Sequence, residues 1–119
     1  MKQATILLVD DHERTVISVA RGLGRIFSNV RTATTPEQAE AILLVEPVGF
    51  ILCDHNLGKG VPTGCDLIPG WRSRFPSIRR AVLFSGSQPE LIKLPPAVDR
   101  FLAKPASLDE IAEAFGVED

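Results

Sequence analysis

Four short blocks of consecutive apolar residues punctuate the chain: Ile6 to Val9, Phe50 to Cys53, Ala81 to Phe84 and Phe101 to Ala103. Each has the length of a strand, and the absence of polar alternation within them predicts strands covered on both faces. Between the blocks the period changes. Val16, Ala20, Leu23 and Phe27 recur at helical spacing after the first block, and Ala39, Ile42 and Leu43 do so before the second. Thr35-Pro36-Glu37-Gln38 places a Thr N-cap before Pro at the first helical position and Gln at the third, and Ser107-Leu108-Asp109-Glu110 repeats this capping logic. Helices are predicted to start at both places. A weaker strand, Val30 to Ala33, fits between the first two helices with Asn29 as the turn. A third helix is expected over Asp66 to Phe75, capped by Asp66 and weakened by Pro69 and Gly70. Five strands alternating with helices predict an α/β, doubly wound fold whose parallel sheet is covered on both sides by right-handed crossovers.

Composition narrows the function classes. The 119 residues are 45% hydrophobic and 24% charged, which suits a single domain over 1–119 without repeats or linkers. Thirteen Lys+Arg against fifteen Asp+Glu leave a formal charge of −2, so the field that non-specific nucleic-acid binding requires is missing and no direct nucleic-acid contact is expected. The longest aliphatic runs, Ile6 to Val9 and Ala41 to Val45, fall far below the roughly 18 to 20 apolar residues of a membrane span. Met1-Lys2-Gln3-Ala4 leads into the first strand without a cleavage-site pattern, and a cytoplasmic protein is expected. Cys53 and Cys65 are too few for a disulfide framework and are read as small buried hydrophobes.

A polar residue ends every apolar block, and these residues carry the chemistry: Asp10-Asp11 after the first, Asp54 after the second, Ser85 after the third and Lys104 after the last. In an open parallel sheet the carboxyl ends of the strands share one edge, so these groups are predicted to converge where such folds bind ligands. Two carboxylates about 4 Å apart at an effective dielectric of about 20 repel by about 4 kcal/mol, and a third carboxylate adds to this. One lysine cannot neutralise three carboxylates. A hard divalent cation can, and Mg2+ suits a site with few carboxylates because it keeps waters and shares its shell with phosphate. A remaining carboxylate can then act as a nucleophile toward phosphorus, with metal, lysine and hydroxyl sharing the charge of the phosphoryl oxygens.

Over essentially its whole length the sequence resembles the receiver domain of two-component response regulators. The resemblance rests on Val9-Asp10-Asp11, Cys53-Asp54-His55-Asn56-Leu57, Phe84-Ser85-Gly86 and Ala103-Lys104-Pro105. It implies a flavodoxin-like fold with strand order 2-1-3-4-5 and a phosphorylation switch. By this likeness Asp54 is the phosphoacceptor, and Asp10, Asp11, Asp54 and the backbone carbonyl of Asn56 hold Mg2+. Ser85 is the switch hydroxyl, Lys104 the ion partner of the phosphate and Phe101 the switch aromatic. Gly86 leaves the approach open, and Pro105 follows a cis peptide bond. The implied partners are a histidine kinase or histidine phosphotransfer protein, and a downstream protein that reads the phosphorylated state, or an attached effector domain if the chain is a fragment.

Several features depart from the family pattern. Gly58 stands where Pro is common, in a loop from Leu57 to Gly64 that is a residue or two longer than usual, and Lys59 within it is read as solvated. Pro89, Pro95 and Pro96 interrupt the stretch where receivers carry a fourth helix, so that helix is expected to be short or irregular, at most Pro89 to Leu94. Arg72, Arg74, Arg79 and Arg80 are read as a solvated basic rim, His12 as exposed and His55 as pointing away from Asp54. Two further functions compete with phosphoacceptance. One is a receiver that signals by protein contact alone; the other is a small Mg2+-dependent phosphohydrolase, disfavoured because Asn56 occupies the place of the second Asp such enzymes use.

Overall fold

The strands β1 (Lys2–Val9), β2 (Phe27–Ala33), β3 (Phe50–Asp54), β4 (Arg80–Ser85) and β5 (Arg100–Ala103) pair in parallel in the order β2-β1-β3-β4-β5. The computed structural model describes residues 2–86 and 92–117. Helices α1 (Glu13–Leu23), α2 (Pro36–Val45), α3 (Gly64–Arg74) and α4 (Leu108–Ala114) connect and flank the strands. The doubly wound α/β arrangement predicted from the apolar blocks is therefore present, with the predicted strand order.

Alternation along each central strand divides the core in two. Leu7, Val9, Ile51, Cys53, Ala81 and Leu83 point to one face, where they meet Ala39 and Leu43 of α2 and Ile68 and Trp71 of α3. Ile6, Leu8, Phe50, Leu52, Val82 and Phe84 point to the other, against Val16 and Leu23 of α1 and Ile111 and Ala114 of α4. Every residue of β3 is buried, which is why its block reads as continuously apolar. On the α1/α4 face Phe27, Phe50 and Phe115 form a ring cluster with centroids 5.4 to 5.7 Å apart.

Local details correct the sequence reading in three places. Phe27, which continues the helical spacing of α1, is the first residue of β2, and Asn29 lies inside that strand; the turn is made at 24–26, where Arg25 and Ile26 donate to the carbonyls of Gly22 and Leu23. Packing of the Phe27 ring against Phe50 and Phe115 outweighs the local period. The cap of α3 is Thr63, not Asp66. Thr63 Oγ1 accepts the Asp66 N–H while the Asp66 carboxylate accepts the Thr63 N–H, so Asp66 is the third helical residue of a reciprocal capping box. Of the short helix expected at Pro89 to Leu94, residues 92–94 carry no helical structure, and the remainder lies outside the described residues. Ser107 and Glu110 form the predicted box at the start of α4, and Thr35 caps α2 through the Gln38 N–H.

The expected basic rim is a set of individual ties. Arg72 donates to the carbonyls of Ala97 and Arg79 and pairs with Asp99, whose carboxylate also accepts the Ala81 N–H, so this side chain anchors the chain entering β5. Arg74 pairs with Glu40 on α2, and the Arg79 guanidinium lies 5.1 Å from the Phe50 ring centroid. No described helix is long and apolar enough to cross a membrane.

Candidate functional site

Parallel pairing brings the carboxyl ends of β1, β3, β4 and β5 to one edge, and the polar residues at those ends meet there. Asp10 continues directly from β1, its N–H donating to the Ala33 carbonyl at 3.1 Å, and it is fully buried. Its Oδ1 accepts the His12 N–H at 2.9 Å and its Oδ2 accepts from Lys104 Nζ at 2.7 Å. Lys104 is held at the end of β5 by its own N–H, which donates to the Ser85 carbonyl at 2.9 Å. The ammonium also lies 3.4 Å from Asp54 Oδ2 and 5.1 Å from the centroid of the Phe84 ring.

Asp54 is 5% exposed. Burial raises its pKa above the ordinary carboxylate range; the Lys104 charge opposes this, the Asp10 charge adds to it, and hydrogen bonds from Lys104 and the Asn56 backbone oppose it again. For Lys104, burial alone would depress the ammonium, but its hydrogen bond to Asp10 and the charges of Asp54 and Asp10 outweigh that and hold its pKa above the ordinary lysine value. The Cys53 thiol is pushed up by burial, then by Asp54 and Asp10, and is an inert core group. Cys65 is only partly buried.

One donor atom from each of Asp10, Asp11, His12 and Asp54 lies within 4.8 Å of the others. Asp11 Oδ1 is buried and has no hydrogen-bond partner among the described residues. Three carboxylates gathered here, with a single imidazole nitrogen near the buried Asp11 oxygen, leave negative charge that a hard divalent ion offsets, and the oxygen set fits such an ion.

The loop after Asp54 passes beside this centre. His55 donates its N–H to the Phe84 carbonyl, and its own carbonyl accepts the Gly64 N–H at 2.9 Å, cinching residues 55–64 into a ring of chain. Gly58 has φ +126°, a conformation Pro cannot adopt, and a Cβ there would come 3.9 Å from Asp11 Oδ2. At Gly64 a Cβ would lie 2.7 Å from both the Asp54 carbonyl oxygen and Leu83 Cδ1. Only glycine lets α3 start against the end of β3.

No protein-family model matches the chain. Over 82 residues, 69% of its length, it is 40% identical to the hydrogenase transcriptional regulatory protein HoxA of Cupriavidus necator, and the match spans 16% of that regulator. It superposes with a TM-score of 0.78 on the crystal structure of a response regulator from Burkholderia pseudomallei with a phosphorylated aspartic acid, calcium ion and citrate. Identity to that protein is 28%, over 94% of this chain and 66% of the other. In fold and in these strand-end residues the chain matches the receiver domains of response regulators. The receiver of an HD domain-containing protein from Pseudomonas fluorescens shares the fold at a TM-score of 0.83 and 23% identity, covering 97% of this chain and 93% of that one.

Within this fold Asp10, Asp11, Asp54 and Lys104 are brought together as anticipated. Ser85 ends β4, 1% exposed, paired in register with Ala103 next to Lys104. Phe101 is half-buried on β5 opposite Leu83, packed against the α2/α3 side of the core. Asn56 is exposed and turns its N–H toward Asp54. The Lys104-Pro105 peptide is cis, as the resemblance implied. Two contributors were not anticipated. Gly64 reads in sequence only as a residue after a threonine, because the contact that forbids a side chain comes from another strand. His12 is exposed as expected, yet its Nδ1 stands 3.1 Å from Asp11 Oδ1.

Proposed function

We propose that this receiver, residues 1–119, accepts a phosphoryl group on Asp54 from a histidine kinase or histidine phosphotransfer protein. The supporting observation is a buried carboxylate at the strand edge, flanked by the Lys104 ammonium on one side and by Asp10 and Asp11 on the other. An Asp54 carboxylate oxygen attacks phosphorus, the bond from phosphorus to the donor imidazole nitrogen breaks, and the electron pair stays on that nitrogen. Lys104 is tethered to Asp10 and within reach of Asp54, so it stands ready to pair with the phosphoryl oxygens. Ser85, on the neighbouring strand end, is the hydroxyl that turns to the phosphate, and Phe101 on β5 is the aromatic that moves after it. Asp10, Asp11, Asp54 and the Asn56 backbone carbonyl hold Mg2+, which when bound supplies the positive charge that offsets the carboxylates and the incoming phosphate.

The output passes to a downstream protein or to an attached effector domain, in keeping with a relative much longer than this chain. The protein works in the cytoplasm, as a signalling domain and not as a turnover enzyme. Intact-protein mass spectrometry after incubation with acetyl phosphate and Mg2+ tests the reading. One added phosphoryl group is expected, absent with chelator and absent in Asp54→Ala. A modification that persists in Asp54→Ala would overturn the site. An unmodified wild-type protein, when also presented with phosphorylated histidine donors, would move the function to protein contact alone.

A further inference from the structure

At the opposite, amino-terminal edge of the sheet a cavity of about 450 Å3 opens between the starts of β1 and β2 and the turns leading into β3 and β4. That volume suits a small molecule. Its polar lining is Thr5, Ser28, Ser77 and Arg79, with Gly49 among them, and no carboxylate lines it. Glu46, tied to Thr5 through the Asn29 side chain, is neutralised by Arg31 at 2.7 Å. Arg79 donates its backbone N–H to the Gly49 carbonyl at 2.8 Å, and its guanidinium rests over the Phe50 ring, 5.1 Å from the centroid. Among the described residues that guanidinium donates to no oxygen and pairs with no carboxylate. The hydroxyls divide by role. Thr5 Oγ1 accepts from Asn29 Nδ2 at 3.1 Å, which leaves its proton free to be donated. Ser77 Oγ donates to the Val48 carbonyl at 2.9 Å, and Ser28 Oγ donates to the Ala4 carbonyl at 3.3 Å while accepting the Ala4 N–H, so these two offer lone pairs.

We propose that this cavity binds a small hydroxylated organic anion, of the sugar-phosphate or hydroxy-acid class, whose oxyanion is held by Arg79 and Thr5 and whose hydroxyls donate to Ser77 and Ser28. The planar fork of a guanidinium matches a carboxylate or a phosphate through two parallel N–H bonds. Resting on Phe50, the Arg79 fork is already restrained, so binding orders less of the side chain. Ala4 and Pro47 supply apolar lining for the carbon skeleton. Gly49 keeps the space open beside both head-group residues: a Cβ there would lie 3.4 Å from Arg79 Nη2 and 3.8 Å from the Thr5 carbonyl oxygen. The cavity lies at the other end of β1 and β3 from Asp10 and Asp54, so the assignment does not depend on the acidic centre.

Titration of the full, 15N-labelled chain with ribose 5-phosphate, malate and inorganic phosphate, followed by amide NMR in the presence of chelator, tests this. Shifts are expected at the amides of Thr5, Ser28, Gly49, Ser77 and Arg79 with at least one organic anion, and which of the two binds tells the phosphate from the carboxylate head group. Arg79→Gln is expected to raise the dissociation constant about tenfold or more, since it removes a charge-assisted fork. Gly49→Ala, whose methyl meets only ordinary contacts, should weaken binding as well, while Asp54→Ala should leave it unchanged. The same spectra report whether each variant is folded. Should Arg79→Gln fold poorly, Arg79→Lys, which keeps the charge and loses the fork, carries the comparison with a smaller loss. Shifts confined to the edge that bears Asp10, Asp54 and Lys104, or none with any of the three anions, would overturn the inference. So would an unchanged dissociation constant in the folded Arg79 variants. Inorganic phosphate binding as tightly as the organic anions would overturn the assignment of an organic ligand and leave an adventitious ion only.

Discussion

Two single residues hold the strand edge around Asp54 in place by opposite means, one by lacking a side chain and the other by its charge. Gly64 stands where a Cβ would meet the Asp54 carbonyl at 2.7 Å. Inside a helix Gly→Ala ordinarily gains about 1 kcal/mol. Gly64→Ala is expected instead to cost about 2 kcal/mol, because a rigid backbone oxygen cannot move aside as a flexible side chain would. The urea midpoint would read that loss, and phosphorylation of Asp54 would slow with it. Lys104 is the ammonium within reach of both Asp10 and Asp54. Lys104→Met in the presence of chelator is expected to destabilise by about 2 to 3 kcal/mol, less than for a wholly buried pair because the lysine is partly exposed. Denaturant unfolding at neutral pH would measure it. The polar residue after each strand was legible because a charge beside an apolar block has few places to go. Gly64 was not, since the atoms that forbid its side chain belong to β3 and β4.

Among the elements, the helices owe their starts to short-range chemistry that operates before any sheet forms. The pairs Thr63/Asp66 and Ser107/Glu110 each satisfy two backbone or hydroxyl groups reciprocally. Thr63→Ala and Ser107→Ala are each expected to cost about 1 kcal/mol, read as a lower thermal or urea midpoint. Hydrogen bonds from the cap residues lower the pKa of Asp66 and of Glu110 below their ordinary values of 3.8 and 4.5. A carboxyl depressed in the folded state stabilises fully above its unfolded pKa and loses that contribution as pH falls through the folded one. The difference between wild type and the Thr63→Ala, Ser107→Ala double variant is therefore expected to be full at pH about 7 and to shrink below pH about 4. An unchanged difference in acid would count against the boxes. Elsewhere local signals were overruled. Pro69 withholds a helical N–H, yet α3 runs through it because Ile68 and Trp71 are buried against the sheet. Phe27 extends the α1 period but belongs to β2, whose only fully buried residues are Phe27 and Ala33, which is why that strand reads weakly.

For the whole molecule, the site exists only because five strands run the same way in one order. Residues 10, 54, 85 and 104 are scattered along the chain and share an edge through the parallel registers of β1, β3, β4 and β5. Anything bound there couples to global stability. Mg2+ at about one hundred times its dissociation constant is expected to add about 2.7 kcal/mol to unfolding, seen as a raised melting temperature that chelator removes. Asp11→Ala should abolish that increment; its persistence would show that the ion binds elsewhere. Neighbouring positions in the chain were enough to set the central strand blocks, the caps of α2 and α4 and the types of group at the strand ends, because burial on both faces and hydrogen bonding within four residues leave a local pattern. Long-range packing was needed to make Phe27 a strand residue, to use Arg72 as the anchor of the entry to β5 and to require glycine at 64. Each of those depends on atoms brought close from distant positions, and such distances have no local signature.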